Sequence, residues 1–86
     1  MVAEGERVAI FHSIHKVMKA EACLKLKRAA ILLIPAPREL GSDCGLAIRY
    51  AEGDAEQVEA ILVDAGLLPK EVFRREKGGF VPVAGD

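Results

Sequence analysis

The sequence predicts an α+β fold of four strands and two helices around one small core. Three observations lead there. Four short apolar or β-branched runs, at residues 7–11, 30–35, 46–50 and 71–75, are spread along a chain of 86 residues. Two longer stretches between them carry helix start signals and apolar residues at helical spacing. The composition, 51% hydrophobic and 29% charged, supplies one two-layer core, and the chain is too short for a second. One domain over residues 1–86 is expected, with its core at about 6–76 and a loose tail at 77–86.

Each element has its own signal. Residues 7–11 (RVAIF) read as the first strand. Ser13 is placed to cap a helix running to about residue 29 or 30. Val17, Ala20 and Leu24 make one candidate core stripe on it; Met18, Ala22, Leu26 and Ala29 make another, and spacing alone leaves both open. Residues 30–35 (AILLIP) suit a strand buried on both faces or against a helix, ended by Pro35 and Pro37. A loop runs from there to Gly45, with a helical turn expected at 37–40. Residues 46–50 (LAIRY) are the third strand. Asp54 and Gln57 form a capping box for a second helix, whose apolar face is Ala55, Val58, Ile61, Leu62 and Ala65. Gly66 stops it, and Pro69 precedes a last strand at 71–75 (EVFRR). The remainder is punctuated by Gly and Pro, although residues 80–83 could dock. The order β-α-β-β-α-β is the ferredoxin-like pattern: a four-stranded antiparallel sheet, strand order 4-1-3-2, with both helices on one face.

Composition excludes several functions. A net charge of −1 and 5% aromatics leave no nucleic-acid footprint. No apolar run is long enough for a membrane helix, so no membrane partner is expected. The chain contains no CxxC pair, HExxH, GxGxxG or Walker loop, so neither a metal nor a cofactor is implied. It also contains no Asn, Thr or Trp. Two cysteines do not make a disulfide scaffold, and the acidic N-terminus (Glu4, Glu6) has no signal-peptide core; a cytoplasmic location is expected. Charge is unevenly laid out. Residues 13–30 carry Lys16, Lys19, Lys25, Lys27 and Arg28 against Glu21, whereas residues 54–65 carry only acids, Asp54, Glu56, Glu59 and Asp64. Helices side by side would attract across their rims, or present two unrelated solvated faces.

The cysteines differ in setting. Cys23 shares a helical face with Lys16, Lys19 and Lys27 and reads as a rim residue. Cys44 stands in the loop between the second and third strands. The proposed topology sets it beside His12 and Ser13, where the first helix opens with unpaired N–H groups. A thiol there has its thiolate favoured, and His12, His15 or Arg38 would add positive charge. The alternatives are plain. Cys44 also fits a small buried residue starting a strand, His12 a carbonyl-bonded one, His15 a solvated one, and Arg38–Glu39 a loop ion pair. A Cys23–Cys44 disulfide is not expected.

The string Pro35-x-Pro37-Arg38-Glu39, followed by Ser42-x-Cys44-Gly45 and an apolar strand, resembles a family of small bacterial proteins described as selenium/sulfur carrier-like. Leu33-Ile34-Pro35, the Ala20-Glu21 step and Leu24 fit it as well. Gly41 departs from it, standing where a second Ser is expected. So does Ala30, where Gly is common. The resemblance implies a carrier rather than a stand-alone enzyme, holding sulfur or selenium on Cys44 as a persulfide or perselenide. Arg38, His12 and Ser42 would surround the nucleophile, while Pro37 and Gly45 shape its loop. The partners implied are a donor enzyme, of desulfurase or selenocysteine lyase type, and an acceptor enzyme. From another class, the chain reads as a ferredoxin-like interaction module with an inert Cys44, dimerising through a sheet face or edge or binding a partner at its opposed charged helices.

Overall fold

A computed structural model describes residues 2–41 and 44–83. The elements in order are β1 (Arg7–Ile10), α1 (Ile14–Leu26), β2 (Leu32–Pro35), a 3-10 turn (Arg38–Leu40), β3 (Leu46–Tyr50), a second 3-10 turn (Glu52–Asp54), α2 (Ala55–Asp64), β4 (Glu71–Glu76) and β5 (Gly79–Pro82). The sheet is antiparallel throughout, in the order β2-β3-β1-β4-β5. Its first four strands take the arrangement expected from the βαββαβ order. Among the described residues, no helix is long and apolar enough to cross a membrane.

The fifth strand corrects the expected loose tail. Residues 79–82 pair with β4, from Glu76↔Gly79 to Phe73↔Pro82. The two-residue connection has Lys77 at φ 52° and Gly78 at φ 77°, the doubly left-handed turn that matches strand twist. Both its N–H groups donate to the Glu4 carboxylate, at 2.8 and 3.0 Å. Lys in a left-handed position is an unusual turn signal, and its stabilising partner lies at the other end of the chain.

Helix α1 starts as the sequence indicates: the Lys16 N–H donates to the Ser13 Oγ at 3.2 Å. It stops earlier than expected, because Arg28 turns left-handed at φ 61° while the Ala29 and Arg28 N–H groups donate to the carbonyls of Leu24 and Lys25. Of the two stripes, Val17, Ala20 and Leu24 are fully buried, while Met18 and Leu26 are exposed. Strand β2 begins at Leu32 rather than at residue 30 and lies at the sheet edge; Leu32 is exposed and Ile34 is buried on the face away from the helices. Helix α2 does not use the capping box. Asp54 already has helical φ and ψ (−99°, −1°) as the end of the preceding 3-10 turn, and its side chain makes no cap hydrogen bond. Gly66 ends α2 as expected, at φ 69°.

The core lies on both sides of the sheet. Ala9, Phe11, Ile48 and Tyr50 pack beneath Val17, Ala20 and Leu24 of α1 and Ala55, Val58 and Leu62 of α2. On the far face, Val8, Ile10, Ile34 and Ala47 are buried under Val2, Ala36, Leu40, Phe73 and Phe80. Phe80 is held there in part by the Arg75 guanidinium, 4.8 Å from its ring centre. The expected attraction between helix rims does not form: among the described residues, no ion pair joins α1 to α2. Lys25 pairs with Glu21 on its own helix, and Glu59 of α2 pairs with Arg7 of β1.

Candidate functional site

The described residues of the loop between β2 and β3, 36–41 and 44–45, hold a turn and a closing hydrogen bond. Pro37, at φ −55°, opens the 3-10 turn, and the Leu40 N–H donates to its carbonyl at 3.0 Å. Gly41 reverses the chain at φ 58° and ψ 46°. The loop closes where the Ala36 N–H donates to the Gly45 carbonyl at 2.9 Å, and Gly45 itself sits at φ 75°. Both glycines occupy the left-handed region, which is costly for a residue with a Cβ.

Cys44 comes just before that closure. It is half-buried, and its side chain packs against the core on the helix side of the sheet. Sγ lies 3.2 Å from the Leu46 carbonyl and 4.0 Å from the Phe11 carbonyl. Both neighbours are acceptors, so the thiol serves as donor. The Phe11 contact brings the residue after β1 and the start of β3 together at the Cys44 sulfur, as the strand order implies.

The other expected residues are placed more loosely. His12, His15 and Arg38 are exposed, and their side chains have no hydrogen-bond or ion-pair partner among the described residues. The Arg38–Glu39 pair is not formed. Pro37 and Gly45 take the loop-shaping positions described above. Ser42 lies outside the described residues. Cys23 is half-buried on α1, and neither cysteine is in a disulfide. Among the described residues, no group of His, Cys, Asp or Glu is arranged to hold a metal ion.

The structure also assembles a polar cluster that sequence reading did not find. Arg7 on β1 donates twice to Glu52, at 2.9 Å each, and once to Glu59, at 2.8 Å. The buried Tyr50 hydroxyl donates to the same Glu59 oxygen at 2.7 Å. These residues are 2–52 positions apart in sequence, so no local pattern reveals them; the one hint was a tyrosine at a core position of β3, whose hydroxyl needs a partner when buried. Burial chiefly, with the Glu59 hydrogen bond and charge, pushes the Tyr50 hydroxyl well above its ordinary pKa of 10.0. The Arg7 hydrogen bond chiefly, with its charge and that of Arg74, holds the Glu52 carboxyl below the usual carboxylate range.

Two grooves flank these features. One, of about 620 Å³, runs between α2 and the β4–β5 hairpin and is lined by Arg7, Glu59, Leu68, Pro69 and Val72 among others. The other, of about 260 Å³, lies against Pro35, Pro37, Arg75 and Phe80 on the far face. Cys44 lines neither.

Comparison with curated proteins and comparison with solved structures each gave no match. A family model described as "Putative Se/S carrier protein-like" matches residues 6–74. That span runs from the residue before β1 into β4 and contains the whole β2–β3 loop with Cys44. The chain belongs to this selenium/sulfur carrier-like family.

Proposed function

We propose that this protein carries sulfur or selenium on Cys44, as a persulfide or perselenide, between a donor and an acceptor enzyme. The observation that carries this reading is the position of the Cys44 thiol, between the end of β1 and the start of β3, within a family described by chalcogen carriage. The exchange balances without an external oxidant. The Cys44 thiolate attacks the outer sulfur of a donor persulfide, the donor S–S bond breaks, and the donor cysteine leaves as a thiolate. Delivery is the same step in reverse sense: a nucleophile of the acceptor attacks the outer sulfur, and Cys44 departs as the leaving group. Arg38 and His12, exposed near the loop and the helix start, would favour the anionic sulfur. Gly45 leaves the backbone open beside it: a Cβ built there meets nothing within 4 Å.

The test is loading. The protein, a cysteine desulfurase and cysteine are incubated, and intact mass is read for one added sulfur. A selenocysteine lyase with selenocysteine tests the selenium arm. Loading is expected in the wild type and in Cys23→Ala, and lost in Cys44→Ala; loading that survives Cys44→Ala rules the assignment out.

One observation favours a second reading. The Cys44 side chain packs on the core and donates to a main-chain carbonyl, as an inert structural thiol would. Alkylation rate against pH separates the two. Rapid reaction of Cys44 below neutral pH supports the carrier, and slow reaction with an ordinary thiol profile supports the interaction module.

A further inference from the structure

The fold limits self-association through its sheet and leaves the outer face of the helices uncovered. The far sheet face is covered by the chain's own residues, with Val8 and Ala47 fully buried. Each edge strand carries a proline, Pro35 on β2 and Pro82 on β5, which removes a ladder donor. The helix layer has no cover. Opposite the buried stripe of α1 stand His15, Met18, Lys19, Ala22 and Leu26, all exposed, Leu26 to 83%. Opposite the buried stripe of α2 stand Ala60 and Asp64, with Glu56 and Val63 on the flank toward the β4–β5 hairpin, all exposed, Val63 to 59%. Large apolar side chains on an outward helical stripe, with small alanines between them, form a surface that another helix can approach.

Charge identifies the occupant. The side chains of Lys16, Lys19, Lys27 and Arg28 at α1 have no ion-pair partner among the described residues, and neither do Glu56 and Asp64 on α2. The complement of each helix is therefore present on the same molecule but not used within it. The two helices run antiparallel, because each runs opposite to the strand before it and β1 is antiparallel to β3.

We propose that the helix layer is the interface of a homodimer, with α1 of each chain lying on α2 of a second copy. A two-fold axis parallel to the helices, between two stacked layers, sets α1 antiparallel over the partner's α2 and repeats the contact on the other side. Lys16 and Lys19 at the start of α1 then oppose the end of the partner helix, where Asp64 lies. Lys27 and Arg28 oppose its start, where Glu56 lies. The proposal is independent of the chemistry at Cys44, whose loop joins two strands at the end of the sheet rather than on the outer face of the helices.

Sedimentation velocity on the full chain tests it. A dimer is expected at low salt, with self-association weakening by about tenfold or more as the Debye length falls from about 30 Å at 0.01 M to about 8 Å at 0.15 M. The variants K16E/K19E and D64K should each be monomeric. An equimolar mixture of the two should dimerise again, since the reversed start of α1 in one then faces the reversed end of α2 in the other and every other contact keeps its native charges. Circular dichroism confirms that each variant is folded; should a reversal unfold the chain, K16Q/K19Q reads the same contact, weakened if the proposal holds and unchanged if it does not. A wild type that stays monomeric at low salt overturns the proposal. So does a dimer indifferent to these changes, or a mixture of folded variants that stays monomeric.

Discussion

The hydroxyl of Tyr50 donates a 2.7 Å hydrogen bond to Glu59, joining strand β3 to helix α2 through the carboxylate that Arg7 also holds. Tyr50 is almost completely buried, and deprotonating it would set a phenolate against that carboxylate in a poorly solvated place. Its pKa is thus raised in the folded state. The stability this contributes is fully present below the unfolded value near 10 and is lost as pH rises above it. Tyr50 is the one tyrosine of a chain without tryptophan, so phenolate absorbance reports it alone. Absorbance should stay flat through pH 10 and rise only together with loss of helical circular dichroism. A phenolate that forms near pH 10 in a chain still folded would contradict the buried hydrogen bond.

Arg7 shapes the acid limb. Because it holds Glu52 below the usual carboxylate range, that contribution to stability is present above the unfolded carboxylate value and is lost as pH falls through the depressed one. Arg7→Gln should lower stability at neutral pH by about 1–2 kcal/mol, since Glu52 and Glu59 are partly solvated and screening discounts the pairs. It should also flatten the decline between neutral and acid pH. Urea midpoints measured across that range check both; a variant with the wild-type acid slope would show that the contact does not carry the dependence.

Strand β5 is part of the folded unit. Phe80 covers the far-face core, and the Val83 N–H donates to the Val72 carbonyl at 2.8 Å. Phe80→Ala should cost about 1–3 kcal/mol, below the figure for a fully buried Phe because the side chain is only partly buried. Amides of 79–82 that pair with β4 should be protected from hydrogen exchange. Exchange there at random-coil rates would restore the loose tail.

Gly45→Ala isolates backbone strain at the Cys44 loop. Nothing lies within 4 Å of the added Cβ, so the cost is that of the left-handed conformation alone, about 1–2 kcal/mol. Thermal melts read the loss. If Cys44 is the carrier, its loading by a desulfurase should fall in this variant by more than a global loss of that size explains, because the closure next to the thiol is disturbed.

Much of the architecture was legible from local pattern. The β-branched runs, Ser13, Gly66 and the paired prolines each act over a few residues, and the structure uses them as such. The capping box failed because Asp54 had already turned helical, a consequence of how Ala51–Asp54 leaves β3. The loop with Cys44 was legible as a motif. Its Phe11 contact followed from strand order, but the half-buried packing of its side chain did not.

The sequence by itself determined the two helices, the first four strands and their order, and the family to which the chain belongs, since these rest on periodicity, caps and a contiguous motif. Tertiary structure alone decided which stripe of α1 is core, that residues 79–82 complete the sheet, and that Arg7, Tyr50, Glu52 and Glu59 share one cluster. The physical reason is range. Each of these depends on contacts between residues far apart in the chain, where burial and charge pairing are settled by three-dimensional neighbours that no local spacing encodes.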